Sequence, residues 1–135
     1  MTNIHITTGK TKEEITGFLK KMELDDIAGK PVSEYSGGMK RRVAIARALL
    51  AEYDILIMDE PLQGLDAETK EKVATVIKTQ TAGKTVLFVT HDEKEAEFFE
   101  QMHGTCLNLR KKEADQHSKC VVYLFFLTVH FRLIA

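Results

Sequence analysis

The sequence predicts an α/β chain in which a parallel sheet carries flanking helices. Two short apolar runs of strand length, Tyr53 to Met58 and Thr85 to Thr90, alternate with stretches whose apolar residues recur at helical spacing. Each run stops abruptly at polar residues, the first at Asp59-Glu60-Pro61 and the second at His91-Asp92. Strands that alternate with helices in this way form parallel sheets, because each crossover needs a helix-length connection.

The elements follow in order. Thr11-Lys12-Glu13-Glu14 has the capping-box pattern, and Ile15, Phe18, Leu19 and Met22 form one apolar stripe, so the spacing predicts a helix from Lys12 to about Leu24. Asp25 to Tyr35, with Gly29 and Pro31, reads as a connecting loop. A second helix is expected from near Gly38 to Ala51, with Val43, Ala46, Ala48, Leu49 and Leu50 on its buried side. Tyr53 to Met58 suits a buried parallel strand. A third helix fits Ala67 to Gln80, and Ala82-Gly83-Lys84 turns into the second strand, Thr85 to Thr90. Asp92 suits the N-cap of a fourth helix through Phe99, and a third strand is expected at Thr105 to Leu109. The apolar run Val121 to Ala135 follows a charged stretch, Arg110 to Lys119. It reads as a buried strand; a membrane or partner contact, or a tail unrelated to the fold, are the alternatives. At 15 residues it falls short of the roughly 20 that span a bilayer.

Composition narrows the function classes. The 135 residues are 44% hydrophobic and 29% charged with a net charge of -1, which lacks the basic excess of a nucleic-acid binder. The two cysteines, Cys106 and Cys120, have no second pair or ligand cluster nearby, which argues against a disulfide scaffold and a zinc site and fits a reducing cytoplasm. Met1 to Lys12 shows no apolar signal-peptide core.

Three groups of residues carry chemistry. Ligands of open parallel sheets sit beyond the carboxyl ends of the strands, where the first strand places Asp59 and Glu60. Successive residues point different ways, so Asp59 can hold Mg²⁺, usually through water, while Glu60 accepts a hydrogen bond from a water aligned on a terminal phosphate. His91 ends the second strand; if the two strands are neighbours, it reaches the same edge. Ser36-Gly37-Gly38 opens a helix, and a helix N-terminus with glycines admits an anion close to its N–H groups. Lys40, Arg41 and Arg42 oppose the helix dipole in that first turn, a pattern that makes sense beside an anion or an acidic surface. For each group a bland reading stands beside this one: solvated acids, a structural histidine, and a solvated basic face, the last for Arg41 and Arg47.

Together the motifs resemble the ABC transporter ATPase family over about Lys12 to Leu109. Tyr35-Ser36-Gly37-Gly38-Met39 is similar to its signature motif and Ile55 to Glu60 to its Walker B strand; Pro61 to Asp66 resembles the D-loop and Thr90-His91-Asp92 the switch-histidine loop. The resemblance implies a partial P-loop NTPase (ABC ATPase) fold, with residues 1–109 as the C-terminal part of the ATPase domain and 110–135 as a charged linker and apolar tail. It implies ATP and Mg²⁺ as cofactors, with Asp59 at the metal, Glu60 as general base and His91 at the γ-phosphate. Ser36, Gly37, Gly38, Met39 and Asp66 would act across a dimer, on the nucleotide of a second ATPase subunit. Membrane-spanning transporter subunits are the further implied partners, with the chain at the cytoplasmic face of the membrane and no nucleic acid bound. Met39 stands where the signature commonly has Gln, and Tyr35 where it has Leu; Met39 followed by Lys40-Arg41-Arg42 resembles importers of the nitrate, sulfonate or taurine type.

One departure is larger. A Walker A loop has the pattern G-x-x-x-x-G-K-[ST] between a strand and a helix. Gly9-Lys10-Thr11 and Gly83-Lys84-Thr85 have its last three letters, but Ile4 and Lys78 stand where the first glycine belongs. The Walker A strand and loop are therefore missing from the pattern, the Q-loop and adenine-stacking aromatic with them. The chain by itself is expected to have no useful ATP affinity and to be inactive alone. The leading expectation is the ATP-binding subunit, as a fragment, of an ABC transporter that couples ATP hydrolysis to solute transport. The alternative is a non-catalytic product or interaction module offering its signature motif in trans to a complete subunit. A DNA-repair or chromosome ATPase is less consistent, since no heptads are sustained here.

Overall fold

The computed structural model describes residues 8–27, 29–101, 105–110 and 121–126. The polar start 1–7, the charged stretch 111–120 with Cys120, and the end of the apolar run, 127–135, lie outside them. Among the described residues, four helices and four strands follow one another as α1 (Lys12–Lys21), α2 (Gly37–Leu50), β1 (Ile55–Asp59), α3 (Ala67–Gln80), β2 (Thr85–Thr90), α4 (Glu93–Glu100), β3 (Thr105–Arg110) and β4 (Val121–Phe126). Two short 3₁₀ turns, Asp25–Ile27 and Val32–Glu34, fill the loop between α1 and α2. The chain divides into two compact units, one of residues 1–53 and 62–80, the other of residues 54–61 and 81–135.

The first unit is helical. Thr11 caps α1 with the full capping box: its hydroxyl accepts from the Glu14 N–H at 3.2 Å, and the Glu14 carboxylate accepts from the Thr11 N–H at 2.8 Å. Ile15, Phe18, Leu19 and Met22 are buried along α1, followed by Leu24 and Ile27. The helix stops at Met22, and Glu23 takes a left-handed φ of 55°, so the predicted end at Leu24 overruns the observed one. On α2 the buried residues are Ile45, Ala46 and Leu49, while Val43, Ala48 and Leu50 are half-buried. The apolar stripe is therefore narrower than the one expected, and it includes Ile45. On α3, capped by Asp66 through the Thr69 N–H at 3.0 Å, Val73, Ala74 and Ile77 are buried. Each fully buried side chain of this size contributes roughly 1.5–3 kcal/mol, the smaller alanines less.

The second unit holds the sheet, with strand order β1-β2-β4-β3. β1 and β2 are parallel neighbours, from Ile55 opposite Thr85 to Asp59 opposite Val89. β4 runs antiparallel to β2, with Leu87 opposite Phe126 and Thr90 opposite Tyr123, and antiparallel to β3, with Thr105 opposite Phe126. The parallel pair is thus as expected, but the sheet as a whole is mixed, because the strand from the apolar run enters between β2 and β3 in the opposite sense. β1 also differs from a strand buried on both faces. Leu56 and Met58 are buried, whereas Ile55 and Ile57 are 61% and 65% exposed. α4 lies against β2, β3 and β4. Phe88 of β2 meets Phe99 of α4 with ring centroids 4.1 Å apart, both rings almost wholly buried. An aromatic pair of this kind adds about 0.5–1.5 kcal/mol to its area burial. It clamps β2 to α4 on either side of the turn that carries His91.

Candidate functional site

β1 ends at Asp59, and the chain then makes a left-handed step at Glu60, φ 46°. Left-handed backbone strains a residue with a Cβ, and such strain gathers at functional sites. A hydrogen bond from the Glu60 N–H to the Val89 carbonyl, 2.9 Å, holds the step against β2. By the alternation of β1, Asp59 lies on the same exposed face as Ile55 and Ile57. The step at Glu60 breaks that alternation and sends its side chain to the end of β2.

There it meets His91. The imidazole Nδ1 lies 2.5 Å from Glu60 Oε1, with His91 54% and Glu60 25% exposed, so the pair is joined and open to solvent at once. The expectation that His91 and Glu60 share the carboxyl edge of neighbouring strands is met. The Glu60 carboxylate, by hydrogen bond and by charge, raises the His91 pKa above its ordinary 6.5, with smaller contributions from Glu95 and Asp92. The imidazolium so favoured has two N–H donors, one for Glu60 and a second on Nε2 for an anion.

The signature-like residues lie in the helical unit. Ser36 is the N-cap of α2; its hydroxyl accepts from the Met39 N–H at 3.2 Å. Ser36 and Gly37 are exposed, and Gly38 and Met39 half-buried. A Cβ added at Gly37 would meet nothing within 4 Å, and one at Gly38 only the Leu65 side chain at an ordinary 3.4 Å. Neither glycine takes a left-handed conformation. The packing of the described residues thus gives no reason for two glycines here, whereas close approach of an external group to the backbone would. Tyr35, in the place of the usual Leu, is buried and donates its hydroxyl to the Ile27 carbonyl at 3.3 Å.

Arg42, one of the cations in that first turn, is tied to the end of another helix. Arg42 Nη1 donates to the carbonyls of Met22 at 3.0 Å and Glu23 at 2.7 Å, and its Nε to the Gly38 carbonyl at 3.4 Å. Arg42 therefore closes the C-terminus of α1, where unpaired carbonyls and the negative end of the dipole favour a cation. Its place near the start of α2 is explained by α1 rather than by an anion. Asp66 caps α3, and the hydrogen bonds from Thr69 hold its carboxyl below the ordinary value.

Neither of the two G-K-T sequences offers a phosphate site. At Gly9-Lys10-Thr11 the Thr11 N–H is taken by the Glu14 carboxylate, a negative charge where a phosphate would have to sit. Gly83-Lys84-Thr85 is a turn, its Lys84 N–H bonded to the Thr81 carbonyl, that leads into β2. As for Mg²⁺, no cluster of three or more metal-binding side chains exists among the described residues. Exposed Asp59 alone fits an ion that keeps most of its waters and takes its other ligands from phosphate.

Sequence reasoning missed two features. Thr90 and Glu95 are buried and joined, Thr90 Oγ1 donating to Glu95 Oε2 at 2.7 Å. The signal was present, since Asp92 and Glu95 stand at capping-box spacing at the start of α4. The other is Arg42, whose partners on α1's end, Met22 and Glu23, lie about 20 residues away and leave no local pattern.

Comparison with known proteins gives the family. The family model for ABC transporters matches residues 1–63. The Fe(3+) ions import ATP-binding protein FbpC of Fusobacterium nucleatum is 42% identical over 70% of this chain and 26% of its own. The spermidine/putrescine import ATP-binding protein PotA of Mesomycoplasma hyopneumoniae is 42% identical over 67% of this chain and 21% of its own. The taurine import ATP-binding protein TauB of Pelagibacter ubique is 38% identical over 64% of this chain and 34% of its own. The chain therefore spans between about a fifth and a third of the length of these relatives. Among solved structures, the archaeal ribosome recycling factor aABCE1, in complex with the ribosomal stalk protein aP1, superposes over 91% of this chain and 29% of its own, with a TM-score of 0.50 and 20% identity. That likeness shows a partial P-loop NTPase fold. The chain belongs to the ABC transporter ATP-binding family and is similar to the ATP-binding subunits of importers.

Proposed function

We propose that these residues are the catalytic part of the ATP-binding subunit of an ABC importer, which hydrolyses ATP to move a solute through membrane-spanning partner subunits at the cytoplasmic face. The observation that carries this reading is the Glu60–His91 contact at the shared carboxyl edge of β1 and β2. A carboxylate beside an imidazolium, both open to solvent, can take a hydrogen bond from water and hold a γ-phosphate at once. ATP bound with Mg²⁺ would supply the phosphoryl group and the charge that polarises it. Asp59 would hold the ion through water, Glu60 would accept the proton of the attacking water, and His91 would orient the phosphate. Ser36, Gly37, Gly38 and Met39, with Asp66, would serve the nucleotide of a second ATPase subunit. Residues 1–109 form the ATPase part in this reading, and 110–135 an appendage to it. The relatives carry iron, polyamines and taurine in their names at similar identity, so the proposal extends to importers as a class and to no one solute.

The test is Glu60→Gln in a complete subunit that contains these residues. ATP should still bind, and turnover should fall by about 10²–10⁴-fold, the usual contribution of a general base. Near-normal turnover would remove Glu60 from the role. A second reading has its own support in the exposed Ser36 cap and the open space at Gly37. In it the chain offers its signature turn to a complete subunit and contributes half of a composite site.

A further inference from the structure

We infer that Thr90 and Glu95 are positioning residues that hold the His91 turn so that its imidazole reaches Glu60. The inference rests on the reading of His91 as a phosphate contact for its meaning, though not for its geometry.

His91 sits between two residues that are tied to each other and to the helix behind them. The Thr90 hydroxyl donates to Glu95 Oε2 at 2.7 Å and accepts from the Asp92 N–H at 3.1 Å. The Asp92 carboxylate accepts from the N–H groups of Lys94 at 2.9 Å and Glu95 at 3.3 Å. The bonds from 90 to 92 and from 90 to 95 close rings around position 91, so the turn cannot open without breaking a buried bond. This is a capping box with a relay. The N3 carboxylate of an ordinary box takes the N-cap N–H directly, whereas here the Thr90 hydroxyl stands between them.

Burial makes the arrangement specific. Thr90 is fully buried and Glu95 is 5% exposed. A carboxylate in that place is a costly way to fill space, since an apolar side chain would bury at less expense of solvation. What it adds is direction, because a hydroxyl donor and a carboxylate acceptor fix angles that apolar packing does not. The Phe88–Phe99 contact fixes the strand and helix on either side, which leaves the turn itself to Thr90 and Glu95. The step at Glu60 is fixed separately, by the bond from its N–H to the Val89 carbonyl. Two anchored backbones thus aim two side chains at one another.

The test reads the His91 contact directly, in the full 135-residue chain without nucleotide. Side-chain ¹H–¹⁵N correlation spectra at fixed pH report the His91 Nδ1 environment, with Glu60→Ala as the reference for a lost contact. Thr90→Val, which removes the hydroxyl and keeps the shape, should move the His91 signal most of the way to that reference. Thr90→Ser, which keeps the hydroxyl, should leave it near the wild-type position. Should Thr90→Val unfold the chain, the double variant Thr90→Val/Glu95→Leu decides. Replacing both hydrogen-bond partners by apolar groups is nearly neutral for folding, yet it removes the relay. A wild-type His91 signal in either folded variant would overturn the inference, and so would a Thr90→Ser signal displaced as far as that of Thr90→Val. The readout involves no ATP, so unaltered turnover in Glu60→Gln would refute the proposed function and leave this result standing.

Discussion

The two compact units present their candidate residues in opposite ways. In the sheet unit the reactive groups face each other: Glu60 and His91 are joined at 2.5 Å, and the turn behind His91 is bonded in depth. In the helical unit the signature-like turn is built around nothing of its own. Ser36 caps α2, no acid stands in the first turn, and among the described residues nothing lies within 4 Å of where a Cβ at Gly37 would sit. Thr11, at the start of α1 in the same unit, supplies the control. It too is a hydroxyl cap, but Glu13 and Glu14 stand in its first turn and the Glu14 carboxylate returns to its N–H. A helix start that serves folding is closed by the chain's own acid. The start at Ser36 is left positive and glycine-lined, which suits an anion brought from outside.

The largest effect expected from that contrast is in trans. Adding the 135-residue chain to a complete ATP-binding subunit of the same family should change its ATP turnover, although the chain alone should bind no Mg-ATP in a calorimeter. Ser36→Arg, which places a long side chain over the glycine turn, should abolish the change altogether. An unchanged effect in Ser36→Arg would mean that the turn at α2 is as structural as the one at α1. No effect of the wild-type chain at saturating amounts would remove the trans reading.

An intermediate effect separates folding from function at the two caps. Thr11→Ala and Ser36→Ala each remove a hydroxyl cap, and each should lower stability by about 1 kcal/mol, read as a shift in urea midpoint. Only Ser36→Ala should also weaken the trans effect. Equal functional loss in both would erase the distinction drawn from Glu14 and Gly37.

Much of this was legible along the chain. Local rules act over three or four residues, so the caps at Thr11 and Asp92, the bounds of α3 and the span of β2 could be read directly. The acids at the end of β1 and the histidine at the end of β2 were legible because strand ends are where ligands collect. The exposed face of β1 was not, since a run of five mainly apolar residues looks the same whether one or both faces are covered. Nor was the insertion of β4 between β2 and β3 in the antiparallel sense, because strand pairing is a long-range choice that an apolar run leaves open. Arg42 misled for a related reason. Its charge opposes the dipole of its own helix, and only the fold reveals that it completes another. The left-handed step at Glu60 has no composition signal either, because a glutamate there is strained by its surroundings and not chosen for the conformation.

The smallest expected effect sharpens the comparison by pH. In the helical unit the Glu14 carboxyl lies below its ordinary 4.5, held first by its hydrogen bonds with Thr11. A depressed carboxyl contributes stability that is present above the unfolded pKa and is lost as pH falls through the folded value. In the sheet unit His91 lies above its ordinary 6.5, held first by Glu60. A raised imidazole contributes stability that is full below the unfolded pKa and is lost as pH rises through the folded one. Both groups are exposed, so each contribution is slight and screened by salt. The destabilisation caused by Glu14→Gln should therefore shrink as pH falls below about 4.5, and that caused by His91→Gln should shrink as pH rises above about 6.5. Urea midpoints of the two variants against wild type across that range check the signs. Were the His91→Gln penalty to grow toward alkaline pH, the imidazole would be held by something other than the Glu60 carboxylate, and the site would need a different base.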